Sequence, residues 1–312
     1  MRRRSFPQAP GISRTGGGSI KNRLFLLVFL LLLLGGCGLI GGEDTTPVPS
    51  PSPSVESPSP TPTPTPYQVK DPEGMTIGER FIPPQGFTRA EQDDTSFAAW
   101  LRALALKPDD ALVYMFDGSL KADSRSDAVL RVDVGTRDLL QTTDLLIRLR
   151  SEYLFERERF SEITFHFMSG FNCSFDKWSD GFRTKVTGNK VEWVKTDEPD
   201  ASRPVFDKYL VNLYVYSNAT AFAQDVVASP DITIGDVFIK NGGAIVADLC
   251  QDNATGRTAV LLVRSGAPTQ DAYVMSNTES PDISPWFIIP DNGVIRTPEG
   301  SFSLSDAMRF KS

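Results

Sequence analysis

The stretch Ala244-Ile-Val-Ala-Asp-Leu-Cys250 gives the strongest indication of the fold in this chain of 312 residues. It is a short apolar run rich in small and β-branched residues, as expected of a strand with little contact to water. Short turn sequences separate it from three other β-rich runs, which are Ile232–Ile239, Arg257–Val263 and Ala272–Met275. Turns such as Asn241-Gly-Gly243 join antiparallel neighbours. We therefore predict an antiparallel meander in the last third of the chain.

Helical patterns dominate the chain before this meander. The longest predicted helix runs from Thr136 to Phe160, with an apolar stripe on one side and charged residues mostly facing water. Its stripe comprises Leu139, Leu146, Leu149 and Tyr153, and its charged residues comprise Arg148, Glu152, Arg157 and Glu158. Shorter helices are predicted after Ser96, near Ser174 and after Ser202. Helices mainly before and an antiparallel sheet mainly after predict an α+β fold.

Four further strands are predicted between these helices. They are Val113–Phe116, Ala128–Val134, Ile163–Met168 and Asn189–Lys195. In the third of them, alternation places Ile163, Phe165 and Phe167 on one face and His166 on the other. This strand therefore has one core-facing side and one polar side.

The N-terminal segment predicts export. Six basic residues and no acidic one precede the apolar run Leu24–Leu34, which has the length of a signal peptide and is too short to span a bilayer. Counting on through Ile40 gives 17 apolar or small residues, so an uncleaved anchor is the alternative. Arg3-Arg4 leaves twin-arginine export as an alternative to a generic basic segment. Each alternative places the C-terminal part outside the cytoplasm.

Leu34-Gly-Gly-Cys37 resembles the lipobox of bacterial lipoprotein precursors. The resemblance implies that residues 1–36 are removed and that Cys37 carries the lipid, including palmitate, that anchors the protein to the bacterial cell membrane. Residues 37–66 then form a lipidated stalk, because the segment from Thr45 to Pro66 holds nine of the 23 prolines and cannot bury a core. In polyproline II conformation it would extend on the order of 65 Å. Residues 67–312 are predicted to form a single globular domain.

The net charge of the mature chain limits the classes of partner that it can bind. Removal of residues 1–36 takes away six basic residues, so the formal charge changes from −7 to −13. Nucleic acid and anionic lipid surfaces attract basic proteins. We therefore expect no nucleic-acid partner, and membrane contact through the lipid on Cys37 alone.

Two cysteines and one histidine remain for chemistry in the globular part. Outside the cytoplasm, Cys173 and Cys250 could form a disulfide or remain two buried thiols, and the sequence leaves both open. Because His166 is the only histidine, it would have to serve any imidazole-dependent relay. The segment Asp176–Gly181 departs from a calcium-binding loop at its third and twelfth positions, and no cofactor fingerprint occurs. We expect no metal and no cofactor.

Asn172-Cys-Ser174, followed later by Ile234-Gly-Asp-Val-Phe238 and an apolar strand, resembles the layout of cell-wall cysteine peptidases of the NlpC/P60 type. The resemblance implies a papain-like arrangement, with Cys173 at the start of a helix and a histidine base at the start of the following strand. This chain has Gly242-Gly243 at that second place. The alternative catalytic pair is therefore Cys173 with His166, and a carboxylate-based glycosidase is a further alternative.

Larger blocks of the chain resemble an uncharacterised domain family of bacterial lipoproteins. The most specific block runs from Gly135-Thr-Arg-Asp138 through Arg150-Ser-Glu-Tyr-Leu154, and the resemblance covers roughly residues 75 to 310. It implies no activity. We therefore expect an extracytoplasmic, membrane-anchored lipoprotein whose domain is a non-catalytic binding or assembly module, with peptidoglycan or another envelope glycan as its partner. A cell-wall hydrolase is the alternative.

Overall fold

The fold is described from a computed structural model that covers residues 67–311. The predicted signal peptide at residues 1–36, the lipidation site Cys37 and the proline-rich stalk up to residue 66 lie outside the described residues. They stay predictions.

Six α-helices form between residues 67 and 311. They are Ile77–Arg80 (α1), Phe97–Arg102 (α2), Thr142–Glu156 (α3), Phe175–Ser179 (α4), Arg203–Tyr216 (α5) and Ala219–Phe222 (α6). Single 3-10 turns occur at Phe160–Glu162, Pro281–Ile283 and Leu304–Asp306. All six helices end before residue 223, in agreement with the prediction that helices lie mainly in the first part of the domain.

Fifteen strands form in the same part of the chain. They are Phe87–Arg89 (β1), Ser126–Val129 (β2), Thr164–His166 (β3), Asn172–Ser174 (β4), Phe182–Thr187 (β5), Lys190–Lys195 (β6), Val226–Ala228 (β7), Val237–Phe238 (β8), Ala244–Asp252 (β9), Thr258–Arg264 (β10), Tyr273–Met275 (β11), Phe287–Ile288 (β12), Val294–Thr297 (β13), Gly300–Ser303 (β14) and Ala307–Phe310 (β15). The α+β class is confirmed.

Nine of these strands form one antiparallel sheet. Its order is β2-β11-β10-β9-β8-β15-β7, with β1 paired to β9 and β12 paired to β10. Because β8, β9, β10 and β11 are successive neighbours, the predicted meander is confirmed. The strands β3-β4, β5-β6 and β13-β14 form three separate hairpins.

Strand β9 lies at the centre of the sheet and is covered on both faces. Every residue from Ala244 to Cys250 is buried. Ile245 and Ala247 pack into the core shared with α3 and α5, whereas Val246 packs into a second core with Phe302 of the β13-β14 hairpin. The continuous apolar run in the sequence therefore reflects a strand with a core on each side.

Helix α3 is shorter than predicted at both ends. It begins at Thr142 because Gln141 and Asp144 form a capping box, in which the Gln141 backbone N–H donates to Asp144 Oδ2 at 3.1 Å. It ends at Glu156, and Glu158 adopts a positive φ of 56° that a helix cannot continue through. Residues 135–141 form a loop instead, which begins at Gly135 with a φ of 71°.

The prediction that Glu152 faces water was wrong. Glu152 is buried, because Arg203 of α5 donates to its two carboxylate oxygens at 2.6 and 2.7 Å. Arg148 adds a third cationic contact at 3.3 Å. A bidentate guanidinium partner from another helix compensates for burial that the sequence of α3 alone does not indicate.

Of the remaining local predictions, the helix starts are confirmed and two strands are wrong. Ser96 and Ser174 cap α2 and α4 with their side chains, and α5 begins directly after Ser202. The segment 113–116 forms only single bridges at Tyr114 and Met115 rather than a strand. Strand β2 spans Ser126–Val129, so the predicted strand 128–134 began two residues too late and ended five residues too late.

Asp248 connects the sheet to the first part of the domain. It is fully buried on β9 and accepts from Arg89 Nε of β1 and from Arg102 Nε of α2, both at 2.6 Å. Its Oδ1 also accepts from the backbone N–H of Leu249 at 2.8 Å. This Asp248 cluster, defined as Arg89, Arg102 and Asp248, is a buried charge with every partner supplied.

Candidate functional site

Cys173 does not occupy a position from which a thiolate could act. It lies in β4, is fully buried in the main core, and its Sγ accepts a hydrogen bond from the Asn212 side-chain amide at 3.8 Å. Burial raises the pKa of the Cys173 thiol, which outweighs the lowering effect of Asn212. The residue that caps the following helix is Ser174, and that helix has only five residues. The structure therefore contradicts the alternative assignment of Cys173 as a nucleophile, because Cys173 is a buried thiol in the core.

His166 and Cys173 do not form a catalytic pair. In the β3-β4 hairpin, Cys173 lies opposite Phe165, and His166 lies opposite Asn172. Because neighbouring residues of a strand point to opposite faces, the thiol points into the core and the imidazole points away from it. His166 Nδ1 instead lies 2.5 Å from Asp225 Oδ1, and Asp225 Oδ2 accepts from the His166 backbone N–H at 3.0 Å.

The two cysteines of the described domain are free thiols. Cys173 lies in the β3-β4 hairpin and Cys250 lies in β9 of the large sheet. Burial raises the pKa of Cys250 to about 12, and the nearby Asp248 carboxylate adds to that effect. Of the two alternatives left open by the sequence, the structure has buried free thiols and not the disulfide.

The start of β9 faces the start of α3 rather than Cys173. A side chain at Gly243 would place its Cβ 3.7 Å from Cβ of Thr142. At this junction the N-terminus of a helix meets the beginning of a central strand. Its residues are Thr142 and Gly243, which supply neither a thiol nor an imidazole. The chemistry of a cysteine peptidase is therefore absent from this junction.

A groove with charged walls lies beside α3 at Arg150. It consists of two adjoining depressions of about 390 and 310 Å³ that share Arg150, Glu162 and Phe310. The first depression continues to the turn at 233–236 and to Arg309, and the second continues to His166, Asp225 and Lys311. We call this feature the Arg150 groove.

Most charges in the Arg150 groove are paired. Arg159 donates to both oxygens of Glu162 at 2.5 Å, and Arg309 donates to Asp236 at 2.8 and 3.0 Å. The guanidinium of Arg159 lowers the pKa of Glu162, whereas burial raises the pKa of Asp225 against the opposing contacts from His166. The two carboxyl groups therefore differ in proton affinity within one groove.

Arg150 is the exception in this groove. Among the residues that the structure describes, none forms a hydrogen bond or ion pair with its guanidinium. Its Cζ lies 5.2 Å from the ring centre of Phe97, 5.4 Å from that of Tyr153 and 5.6 Å from that of Phe310. Burial lowers the pKa of Arg150, although an arginine remains charged at neutral pH. The groove thus contains one cation whose N–H donors are uncommitted.

Sequence reasoning missed Arg150, although a signal was present. In a helix, residues 146, 149, 150 and 153 share one side, so Arg150 interrupts the apolar stripe made by Leu146, Leu149 and Tyr153. An arginine at such a position requires either a carboxylate or aromatic faces. The aromatic faces come from Phe97 and Phe310, which are distant in sequence.

The tryptophans do not line this groove. Trp178 and Trp286 are buried in the core, and Trp286 donates from Nε1 to the Ile82 carbonyl at 2.8 Å. Trp100 donates to Glu156 at 2.6 Å, and Trp193 packs beside Phe171. A sugar-stacking role is excluded for the two buried residues.

Two kinds of feature are absent from residues 67–311. In this part of the chain no helix has the length and hydropathy needed to cross a membrane. Within the same residues, no group of three or more histidine, cysteine, aspartate or glutamate side chains is arranged to hold a metal ion.

Comparison with known proteins places the domain in a family. The family model described as "Domain of unknown function (4846)" matches residues 77–309, which agrees with the resemblance seen between residues 75 and 310. Neither a curated protein nor a solved structure matches the chain.

Proposed function

The chain belongs to this family of unknown function, and on that premise we propose that it is a lipid-anchored envelope protein whose domain binds peptidoglycan without cleaving it. The observation that carries the non-catalytic part is the junction of α3 and β9, where Thr142 faces Gly243. A cysteine peptidase needs a thiolate and a base in contact, and the only histidine of the chain points away from Cys173.

The location rests on the N-terminal sequence. The lipobox-like Leu34-Gly-Gly-Cys37 supports lipid attachment, and the proline-rich segment up to Pro66 supports a spacer between membrane and domain. A protein held in this way lies beside the cell wall. Peptidoglycan is therefore a ligand consistent with the proposed location.

Metabolic labelling with a palmitate analogue tests lipid attachment at Cys37. We expect incorporation into the full chain and its loss in Cys37→Ala, while Cys250→Ala, which removes a buried thiol, remains labelled. Label in the Cys37→Ala variant would contradict lipidation at this residue. A wild-type chain that retains residues 1–36 would indicate the uncleaved anchor.

Sedimentation with insoluble peptidoglycan tests the binding. The full chain, extracted from membranes in mild detergent, is expected to co-sediment in both wild-type and Cys173→Ala forms and to release no soluble muropeptides. A chain that stays in the supernatant would overturn the binding function. Fragments that appear with wild type and vanish with Cys173→Ala would establish a peptidase instead.

A carboxylate-based glycosidase is a second candidate, favoured by one observation. In the Arg150 groove, the pKa of Asp225 is raised by burial and that of Glu162 is lowered by Arg159. Glycan hydrolysis likewise uses one carboxyl group that keeps its proton and one that is ionised. Reducing sugar ends released by wild type and not by Asp225→Asn would support this activity, and equal release by both would exclude it.

A further inference from the structure

Arg150 differs from the other arginines of the described domain because it is half-buried and its guanidinium makes no hydrogen bond or ion pair within residues 67–311. Four other arginines between residues 67 and 311 lack a side-chain hydrogen bond or ion pair, namely Arg125, Arg137, Arg257 and Arg296, and all four are exposed to water. Water can satisfy their donors. Arg150 is half-buried in a groove, where fewer water molecules can do so.

The aromatic rings explain how Arg150 is held without using its N–H groups. Phe97, Tyr153 and Phe310 contribute their faces and edges around the guanidinium, and Phe97 also packs against each of the other two rings, with centroids 5.0 and 6.0 Å apart. Cation–π contact stabilises the charge from its planar side. The five N–H donors lie at the edge of the guanidinium and are not used by these contacts, so they remain free to bind a carboxylate.

The neighbouring cations of the groove are committed to partners within the protein. Arg159 is bound by Glu162, Arg309 is bound by Asp236, and Lys311 donates to the Gln224 carbonyl at 2.5 Å. These three residues raise the local positive potential but have donors already in use. Among the described residues of the groove, Arg150 is therefore the cation free to contact a ligand directly, and its neighbours contribute to the positive electrostatic potential of the groove.

The balance of charge indicates which anion fits. The groove holds four cations, namely Arg150, Arg159, Arg309 and Lys311, against three carboxylates, namely Glu162, Asp225 and Asp236, with His166 beside Asp225. One excess positive charge is neutralised by one monoanion, whereas a phosphate dianion would leave an excess of negative charge. The planar fork of a guanidinium also matches the two oxygens of a carboxylate.

We propose that the Arg150 groove is a binding site for a carboxylate group, received by the guanidinium of Arg150. Two components of peptidoglycan carry such a group, the stem peptide and the muramic acid sugar. The identification of these sources rests on the proposed function, and the carboxylate site itself does not.

Calorimetric titration of the full chain in mild detergent tests the site with small probes. The probes are N-acetyl-D-alanyl-D-alanine, N-acetylmuramic acid, their carboxamide derivatives and inorganic phosphate. We expect at least one acid to bind saturably, its carboxamide to bind at least ~10-fold more weakly, and phosphate to bind more weakly than the acid. The acid that binds identifies the source, peptide or sugar.

Substitutions separate the site from general charge effects. Arg150→Gln is expected to weaken binding of the acid at least ~10-fold, and Arg150→Lys, which keeps the charge without the fork, is expected to restore part of the loss. Arg296→Gln removes the same charge from exposed β13 and should bind as wild type. The melting temperature of Arg150→Gln should stay within about 3 °C of wild type, which shows that the variant is folded.

Four results would overturn the inference. The first three are equal affinity of acid and carboxamide, wild-type affinity in a folded Arg150→Gln variant, and no saturable binding of either acid up to ~10 mM. The fourth is tighter binding of phosphate than of the acid, which would overturn the carboxylate assignment. Failure of the chain to co-sediment with peptidoglycan while an acid still binds at Arg150 would overturn only the proposed function.

Discussion

The Asp248 cluster and the Arg150 groove hold charges in opposite ways. In the Asp248 cluster, a fully buried carboxylate has two guanidinium partners and a backbone N–H, so every charge is compensated within the fold. In the Arg150 groove, a half-buried guanidinium has aromatic neighbours and no carboxylate partner among the described residues. A satisfied buried charge serves the fold, whereas an unsatisfied one is available to a ligand.

The largest expected effect lies in the Asp248 cluster. Asp248→Ala should lower the free energy of unfolding by about 3 to 5 kcal/mol, because it leaves Arg89 and Arg102 without the partner that compensates their burial. Urea denaturation measures this change. Asp306→Asn breaks an exposed pair with Lys240 and should cost less than about 1 kcal/mol. Equal losses in the two variants would refute the distinction between buried and exposed pairs.

Asp144 sharpens the comparison, because it is a buried carboxyl without a cation. It accepts from the Gln141 backbone N–H, its Oδ1 has no partner within the described chain, and burial raises its pKa to about 7. A raised pKa favours the folded state fully below the unfolded value of 3.8, and this contribution is lost as the pH rises through about 7.

Asp144→Asn should therefore stabilise the protein at high pH. The variant and wild type should unfold with similar free energies near pH 4, and the variant should gain about 3 kcal/mol above pH 7.5. Urea denaturation across this range is the measurement. An advantage of the variant that is constant with pH would contradict the assigned cause, because only ionisation of Asp144 produces the dependence.

Arg150→Met should have a small effect on stability. The substitution loses the cation–π contacts but removes the cost of a half-buried charge, so we expect a change within about 1 kcal/mol. Thermal denaturation with Arg296→Met as the matched variant measures it. A loss near that of Asp248→Ala would show that Arg150 stabilises the fold in the same way as the Asp248 cluster.

The smallest expected effect concerns the thiols. In the folded chain, Cys173 and Cys250 should not react with iodoacetamide over minutes, because both are buried and burial raises both pKa values. Mass spectrometry of the cysteine peptides distinguishes them from Cys37, and a sample in urea shows full labelling. Rapid alkylation of folded Cys173 would reopen its assignment as a nucleophile.

Local sequence predicted those features that depend on neighbouring residues. The meander, the caps at Ser96 and Ser174 and the inward face of Ile163, Phe165 and Phe167 follow from turn residues, hydroxyl groups and alternation. Helix α3 was predicted too long because its ends depend on the Gln141–Asp144 capping box and on the backbone of Glu158. These are details of hydrogen bonding that apolar periodicity does not report.

The candidate site depended on distant contacts and was largely missed. Thr142 meets Gly243 across about a hundred residues, and Arg150 meets Phe97 and Phe310 from opposite ends of the domain. Cys173 was an attractive candidate because it precedes a helix. The hairpin pairing with Phe165 turns it into the core, and no local pattern distinguishes that outcome from exposure.

The position of β15 in the sheet has a consequence for how the protein matures. Although it is the last strand of the described chain, β15 lies inside the sheet between β8 and β7. A nascent polypeptide that ends before residue 307 cannot join β7 to the other strands, so the sheet closes only after nearly the whole domain has been synthesised. Translocation across the membrane as an extended chain is thus compatible with this topology, since the sheet cannot be completed before the final strand emerges.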